Sequence, residues 1–538
     1  MLLTLVVLAA AVIPVIIVRL QAAPVPLERD EGEYALMGQL ILDGTPPYSE
    51  AANMKFPGIY YAYSVILALF GQTAAGIHMG LLAVNLLSTL FLYLLARRLL
   101  GEAGAATAGA AFVITSAGNS FLGLFGHATQ FVVMFALAGT WLLLEGLRFE
   151  RRTLLLWCSG LCLGLAVVVK QSGAFFALFG FLWFVCGAFR RRPVEWKRFL
   201  RECASLAAGI VLPGALALAL IAHSGVSDRF WFWTVDYVRA YASEVDLGTG
   251  IESFQRTFML IVGNNPVIWL ASLAGIVAIL TTESGRKTAP FLLAFSLFSF
   301  LSVCPGLNFR RHYFVQFLPA TALCAGAAVR ALEEAVPKVG NRSRAVQAAV
   351  LAALVAFSLT SVFSMGRALE ASTPEGFSHS VYGVGQPFSE SVRVGEFIRK
   401  NSKPEDRIAV LGSEPQIYFY AHRRPATEHI YMYGLMEHQP YALRMQKELI
   451  AQVEKNEPLF LVFATASVSW LPHRESEQEI FRWMRNYVRD YYKPVMVADI
   501  HADRTRWLMD KEAESFIEHF TGKVSSTQLI VYKRKAAG

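Results

Sequence analysis

The run Glu28-Arg-Asp-Glu-Gly-Glu-Tyr-Ala35 opens a polar loop directly after the first apolar segment, Met1–Leu20. It places four carboxylates, Glu28, Asp30, Glu31 and Glu33, within six residues at the edge of an otherwise apolar chain. The surroundings decide the fold class. The 538 residues are 54% hydrophobic and 17% charged, with a mean hydropathy of +0.42. That is the balance of a polytopic α-helical membrane protein.

A spanning helix needs about 20 mostly apolar residues. Eleven stretches qualify, near 1–20, 74–96, 103–119, 127–147, 153–169, 172–189, 204–222, 258–280, 288–305, 313–330 and 347–366. The first reads as a retained span rather than a signal peptide, because no small-x-small cleavage site precedes the loop. One set of loops carries Arg97-Arg98, Arg148, Arg151-Arg152, Arg190–Arg192, Lys197, Arg198, Arg201, Arg286-Lys287, Arg330, Lys338, Arg342 and Arg344. The opposite set holds few cations, chiefly Arg29, Lys55, Arg229, Arg239 and Arg310-Arg311. This bias predicts a cytoplasmic N-terminus, with the first loop and everything beyond about residue 367 outside. The net charge of +8 comes largely from these anchors and gives no argument for nucleic acid.

Composition changes near Ser372. Strand-length apolar runs (Arg407–Leu411, Leu459–Phe463, Val495–Ala498, Gln528–Tyr532) then alternate with helical patterns near 390–401, 440–454 and 476–491. The chain therefore divides into a membrane domain, 1–371, and an extracytoplasmic α/β domain, 372–538. All six cysteines lie in or beside predicted spans, so no disulfide framework holds the exported part. In the first external loop, 21–73, helical spacing of Tyr34, Met37, Leu40 and Ile41 predicts a short amphipathic helix lying on the membrane. A second apolar piece, Ile59–Phe70, follows it at the interface.

Asp30 with Glu33 fits a helix cap and capping box, but one cap does not require four carboxylates. The excess points to proton abstraction or metal binding by Asp30 and Glu31. Lys55 is a compact charge suited to phosphate, and Tyr60 and Tyr61 beside it are belt anchors or ring contacts. Lys170, between two spans, must face protein, water or the interface. Asn308-Phe-Arg-Arg-His-Tyr313 sets Arg310, Arg311 and His312 on the outside against the charge bias, which favours anion binding. In Phe230–Tyr237, Trp231 and Trp233 could stack on a sugar or anchor the loop. His127 and His223 read as satisfied polar or loop residues. No HExxH, CxxC, Walker or GxSxG spacing occurs. A carboxylate cluster beside a phosphate-binding lysine at a membrane suggests an enzyme acting on a lipid phosphate.

At these residues the chain resembles the GT-C superfamily of polyprenyl-phosphate-sugar glycosyltransferases, closest to the protein mannosyltransferase-like family (glycosyltransferase family 39) and the lipid A aminoarabinose transferases. Asp30-Glu31-Gly-Glu-Tyr-Ala35 is similar to their Asp-Glu-x-x-Tyr-Ala signature, and Met54-Lys55-Phe-Pro-Gly-Ile-Tyr60 to their Lys-x-Pro segment. Arg311-His-Tyr-Phe-Val-Gln-Phe-Leu-Pro319 resembles their Arg-Tyr helix start. Ile408–Tyr418 with Arg423-Arg424-Pro425 resembles a segment of the exported tails of bacterial members. The resemblance implies inverting transfer, at the extracytoplasmic face of a bacterial inner membrane, from a polyprenyl-monophosphate sugar to a glycolipid, polysaccharide or protein hydroxyl. It implies Asp30 as general base, Glu31 as its support or a metal ligand, and Lys55, Lys170, Arg310, Arg311 and His312 around the donor phosphate. Relatives differ in needing a divalent metal. A lipid or solute transporter is the alternative reading of such a bundle, and it is opposed by the absence of an inverted repeat.

Overall fold

Most apolar runs form helices where the sequence places them, in a computed structural model that describes residues 2–148, 152–190, 193–335, 356, 359–360, 362–519 and 526–536. Five described helical stretches are long and apolar enough to cross a membrane: Ala74–Ser116 (α4), Ala128–Gly146 (α5), Arg152–Val169 (α6), Gln171–Phe189 and Trp196–His223. Gly101, at φ 77°, splits α4 into the two predicted spans. Its halves fold back on each other, Asn85 Nδ2 donating to Ser116 Oγ at 2.8 Å. The first helix, Leu2–Ala22 (α1), packs along α4, and its buried Arg19 donates to the carbonyls of Ser116 and Gly123 at 3.2 and 3.1 Å. The predicted spans 288–305 and 313–330 appear as Glu283–Leu301 and Leu318–Ala335. The last predicted span, 347–366, lies largely outside the described residues.

One predicted span is corrected. The stretch 258–280 is not one rod, because Asn265 and Pro266 bend Leu247–Asn264 from Pro266–Thr281 by 101°. Proline cannot continue the hydrogen-bond ladder of the first helix. Asn265 lies near Gly118, and Ser253, Arg256 and Thr257 share a cavity with Asp30. The first helix of the pair therefore stays at the end of the bundle that carries the site.

The first loop forms two helices, Arg29–Leu42 (α2) and Gly58–Phe70 (α3). The expectation that α2 lies on the membrane is overturned, since most of its residues are buried. Its outer face is covered by the C-terminal region. At Gly32 an added Cβ would stand 2.6 Å from the backbone nitrogen of Gln416, so only glycine permits this approach. Tyr420 Oη accepts from Leu27 N at 2.9 Å, Ala52 N donates to Glu428 O at 3.0 Å, and Glu50 receives Arg407 at 2.9 Å. Tyr34, Tyr48, Tyr60 and Tyr63 are fully buried around this seam.

The C-terminal region builds one five-stranded sheet in the order β1-β2-β5-β3-β4. Its strands are Ile408–Leu411 (β1), Phe460–Ala464 (β2), Tyr492–Ile500 (β3), Thr505–Met509 (β4) and Thr527–Arg534 (β5). β1 and β2 run parallel, and the remaining pairs are antiparallel. Four strands coincide with the predicted runs. β4, Thr-Arg-Trp-Leu-Met, is a half-exposed edge strand without a continuous apolar run, which is why its sequence is silent.

Candidate active site

The cap of α2 and the contacts behind it explain three of the four carboxylates. Glu28, not Asp30, is the N-cap: its side chain accepts from Glu31 N at 2.9 Å, and Glu31 Oε2 accepts from Glu28 N at 3.2 Å. The capping box is thus Glu28/Glu31 rather than Asp30/Glu33. Glu31 is fully buried, and Oε1 receives Gly126 N at 2.5 Å and contacts His78 Nε2 at 3.1 Å. Glu33 is equally buried, accepting from Tyr60 Oη and Asn53 Nδ2, both at 2.7 Å. Burial raises Glu33 to about 7 despite Lys55 and these donors. Only Asp30 of the four lines the main cavity, so Glu31 anchors the loop instead of facing a substrate.

That cavity encloses about 880 Å³. Three cations enter it from three separate loops. Lys55 Nζ stands 3.6 Å from Asp30 Oδ1 and 3.9 Å from Glu33 Oε2. Its loop is held by Tyr48 Oη, which donates to Lys55 O at 2.6 Å. Lys170 occupies the extended residue between α6 and the turn Gln171–Gly173, and Gln171 Nε2 ties this turn to Met54 O at 2.9 Å. The Lys170 ammonium lies 4.0 Å from the centre of the Tyr313 ring. Arg310, extended before the turn Arg311–Gln316, faces the cavity among Tyr241, Tyr313 and Tyr433. Among the described residues neither Lys170 nor Arg310 has an ion-pair partner.

Burial opposes the Lys55 charge, but Asp30 above all outweighs it and pushes its pKa well up. Burial also raises the Asp30 carboxyl, yet Lys55, then His127 and His312, hold it well below the usual range. Lys170 has no such relief. Burial, with Lys55 and Arg310 repelling and only Asp30 attracting, lowers it to about 7.

The other predicted residues separate. Arg311 turns away from the main cavity and donates to the carbonyls of Asn119 and Ser120, bracing that turn. Tyr60 is spent on Glu33, and neither it nor Tyr61 lines the main cavity. Trp233 is buried and lines the cavity, whereas Trp231 is 57% exposed and points elsewhere. His312 does reach the site, with Nε2 3.9 Å from Asp30 Oδ2.

His127, which the sequence offers as an ordinary polar residue, belongs to the site. Its ring stacks on His312 at 4.0 Å between centroids, and Nδ1 stands 3.5 Å from Asp30 Oδ2 and 3.6 Å from Glu28 Oε1. Both His127 nitrogens are buried without a hydrogen bond. Asp30, His127 and His312 offer one oxygen and two nitrogens within 4.8 Å of one another, a donor set that suits a divalent transition-metal ion. Sequence reasoning also misses Tyr237, Tyr241, Tyr431, Tyr433 and Glu437. Tyr237 and Tyr241, four residues apart at the end of the aromatic loop, carried the only available signal.

A smaller cavity of about 380 Å³ lies on the other side of Asp30. The two share Asp30, Asn308, Arg310, His312, Tyr431 and Tyr433 as a wall, and Arg256 and Arg311 line the smaller one.

The same fold occurs in two solved structures. The chain superposes on ArnT from Cupriavidus metallidurans, solved bound to undecaprenyl phosphate, with a TM-score of 0.60 at 13% identity over 100% of this chain and 98% of that one. It also superposes on the oligosaccharyltransferase AglB from Archaeoglobus fulgidus, solved with an inhibitory peptide and a dolichol-phosphate, with a TM-score of 0.52 at 13% identity over 99% and 76%. Residues 54–218 match the family model of dolichyl-phosphate-mannose-protein mannosyltransferases. The undecaprenyl phosphate-alpha-4-amino-4-deoxy-L-arabinose arabinosyl transferase of Pseudomonas aeruginosa is 30% identical over 232 residues, a match spanning 40% of each chain.

Proposed function

We propose that this protein is a membrane glycosyltransferase that moves a sugar from a polyprenyl-monophosphate donor to an acceptor hydroxyl, with inversion. The observation that carries this reading is that Lys55, Lys170 and Arg310 converge with Asp30 in the main cavity while, among the described residues, Lys170 and Arg310 have no ion-pair partner; of its other carboxylates, Glu437 is held by Tyr237 Oη at 2.6 Å. A cavity with spare cations takes an anion, and the family and fold similarities make that anion a lipid phosphate. The cavities on either side of Asp30 support donor and acceptor meeting at this residue. The arginine-rich loops at the far end support a cytoplasmic N-terminus, a bacterial inner membrane and a site at the outer face.

The acceptor oxygen attacks the anomeric carbon, the carbon–phosphate-oxygen bond breaks, and Asp30 takes the hydroxyl proton. A carboxylate paired with Lys55 is a poor base. When the donor phosphate draws Lys55 toward itself, Asp30 loses its strongest charge partner and its basicity rises. Lys170 and Arg310 offset the charge that develops on the departing polyprenyl phosphate.

The assay uses protein purified into lipid and a labelled polyprenyl-phosphate sugar. Lys170→Ala and Arg310→Ala are each expected to raise donor KM about tenfold to a hundredfold, the worth of one charged hydrogen bond of roughly 1.5–3 kcal/mol. An unchanged KM in both removes them from the phosphate site.

The pH dependence has a defined sign. With Lys170 at about 7, its ammonium is lost as pH rises through that value. A bound phosphodiester raises this pKa, so binding takes up a proton. Donor affinity should therefore fall above pH 7, approaching tenfold per pH unit. Lys170→Arg, always charged, should flatten the profile, and an identical slope in that variant would contradict the assignment.

A further inference from the structure

Asp30 is approached from two sides of the molecule, and one of them is the C-terminal sheet region. Tyr431 Oη donates to Asp30 Oδ1 at 3.0 Å, across 401 residues of chain. Lys55 faces the same oxygen at 3.6 Å, whereas Oδ2 looks toward His127 and His312. The two carboxylate oxygens are therefore unequal: Oδ1 accepts the Tyr431 hydroxyl, and Oδ2 faces the two imidazoles at 3.5 and 3.9 Å. The segment carrying Tyr431 is itself fixed, since Met432 N donates to Ser413 Oγ at 2.8 Å. The Ser413 carbonyl receives the Arg29 guanidinium, which pairs with buried Glu414 at 2.6 Å. Adjacent residues of α2 are thus clamped in opposite senses: Arg29 reaches into the C-terminal region, and Tyr431 reaches out of it to Asp30.

We propose that the C-terminal α/β region is a working part of the site, with Tyr431 a positioning residue that fixes Asp30 through Oδ1 and leaves Oδ2 free for the acceptor proton. This rests on the transferase reading. Tyr431 is bonded to Asp30 and carries no charge to hold a phosphate, so its loss should appear in kcat rather than in donor KM. That separates it from Lys170 and Arg310, whose variants act on KM.

The test is donor turnover by the full-length protein in lipid. Tyr431→Phe should lower kcat by about tenfold to a hundredfold, part of the roughly 10²–10⁴ that a positioned base supplies, with donor KM unchanged. Two analogues placed at position 431 control for folding. 4-Aminophenylalanine keeps a donor and should retain kcat, whereas 4-methylphenylalanine, of similar size without one, should lose it. Equal kcat in the two analogues overturns the assignment of Tyr431. Wild-type protein that turns over no donor instead fails the transferase reading itself.

Discussion

Asp30→Asn is expected to lower turnover by about 10²–10⁴-fold, while polyprenyl phosphate still binds and the protein remains folded. The amide matches the carboxylate in shape and can still accept from Tyr431 Oη at Oδ1. It cannot take a proton from an acceptor hydroxyl at neutral pH. Lys55 loses its nearest anionic partner in this variant, so phosphate binding should tighten if it changes at all. Loss of activity with tighter donor binding is a signature that a merely damaged site would not give. The check is a pair of measurements on one preparation: single-turnover rate and equilibrium binding of polyprenyl phosphate. Turnover equal to wild type would remove Asp30 from the role of base.

The largest effect on stability belongs to Glu414→Ala. Glu414 is fully buried, pairs with Arg29 at 2.6 Å, and also receives Gln416 Nε2 at 2.7 Å and the Ser469 hydroxyl. The Arg29 guanidinium lies over the rings of Phe388 and Tyr433 at 5.1 and 5.6 Å, so it has little water to fall back on. Removing one member of a buried pair strands the other charge and costs about 3–5 kcal/mol. The loss falls on the seam between α2 and the C-terminal region, so protease sensitivity in the stretch 372–538 should rise steeply. Activity should fall with it, because Asp30 follows Arg29 directly. Wild-type protease resistance in Glu414→Ala would show that the seam holds without this pair. The double change Arg29→Met with Glu414→Leu should recover much of the resistance, since it leaves no stranded charge.

Most of the described long helices and four of the five strands were legible because periodicity and apolar length are local properties of the sequence. α2 shows where that logic stops. Its apolar spacing was read correctly, but the covering surface was the C-terminal region, and no local pattern encodes the contact of Gly32 with Gln416. The carboxylate run was legible as an excess, yet its division of labour was not. Glu31 is committed to the amide of Gly126, 95 residues away, and Glu33 to Tyr60 and Asn53. His127 carries no motif and becomes part of the site only when the turns before α5 and the helix Leu318–Ala335 bring it against His312. Lys170 and Arg310 could be suspected because each costs energy or runs against the charge bias where it stands. Arg311 shares that argument and still goes elsewhere, since the bias cannot tell which of two adjacent arginines turns inward.

The most direct measurement follows polyprenyl phosphate released by wild-type protein in lipid, from a panel of labelled polyprenyl-phosphate sugars with an envelope extract as acceptor. The account predicts release from at least one donor, with the label transferred to acceptor in the inverted configuration. Donors that cross the bilayer intact, with no polyprenyl phosphate released from any of them, would contradict it and identify a transporter.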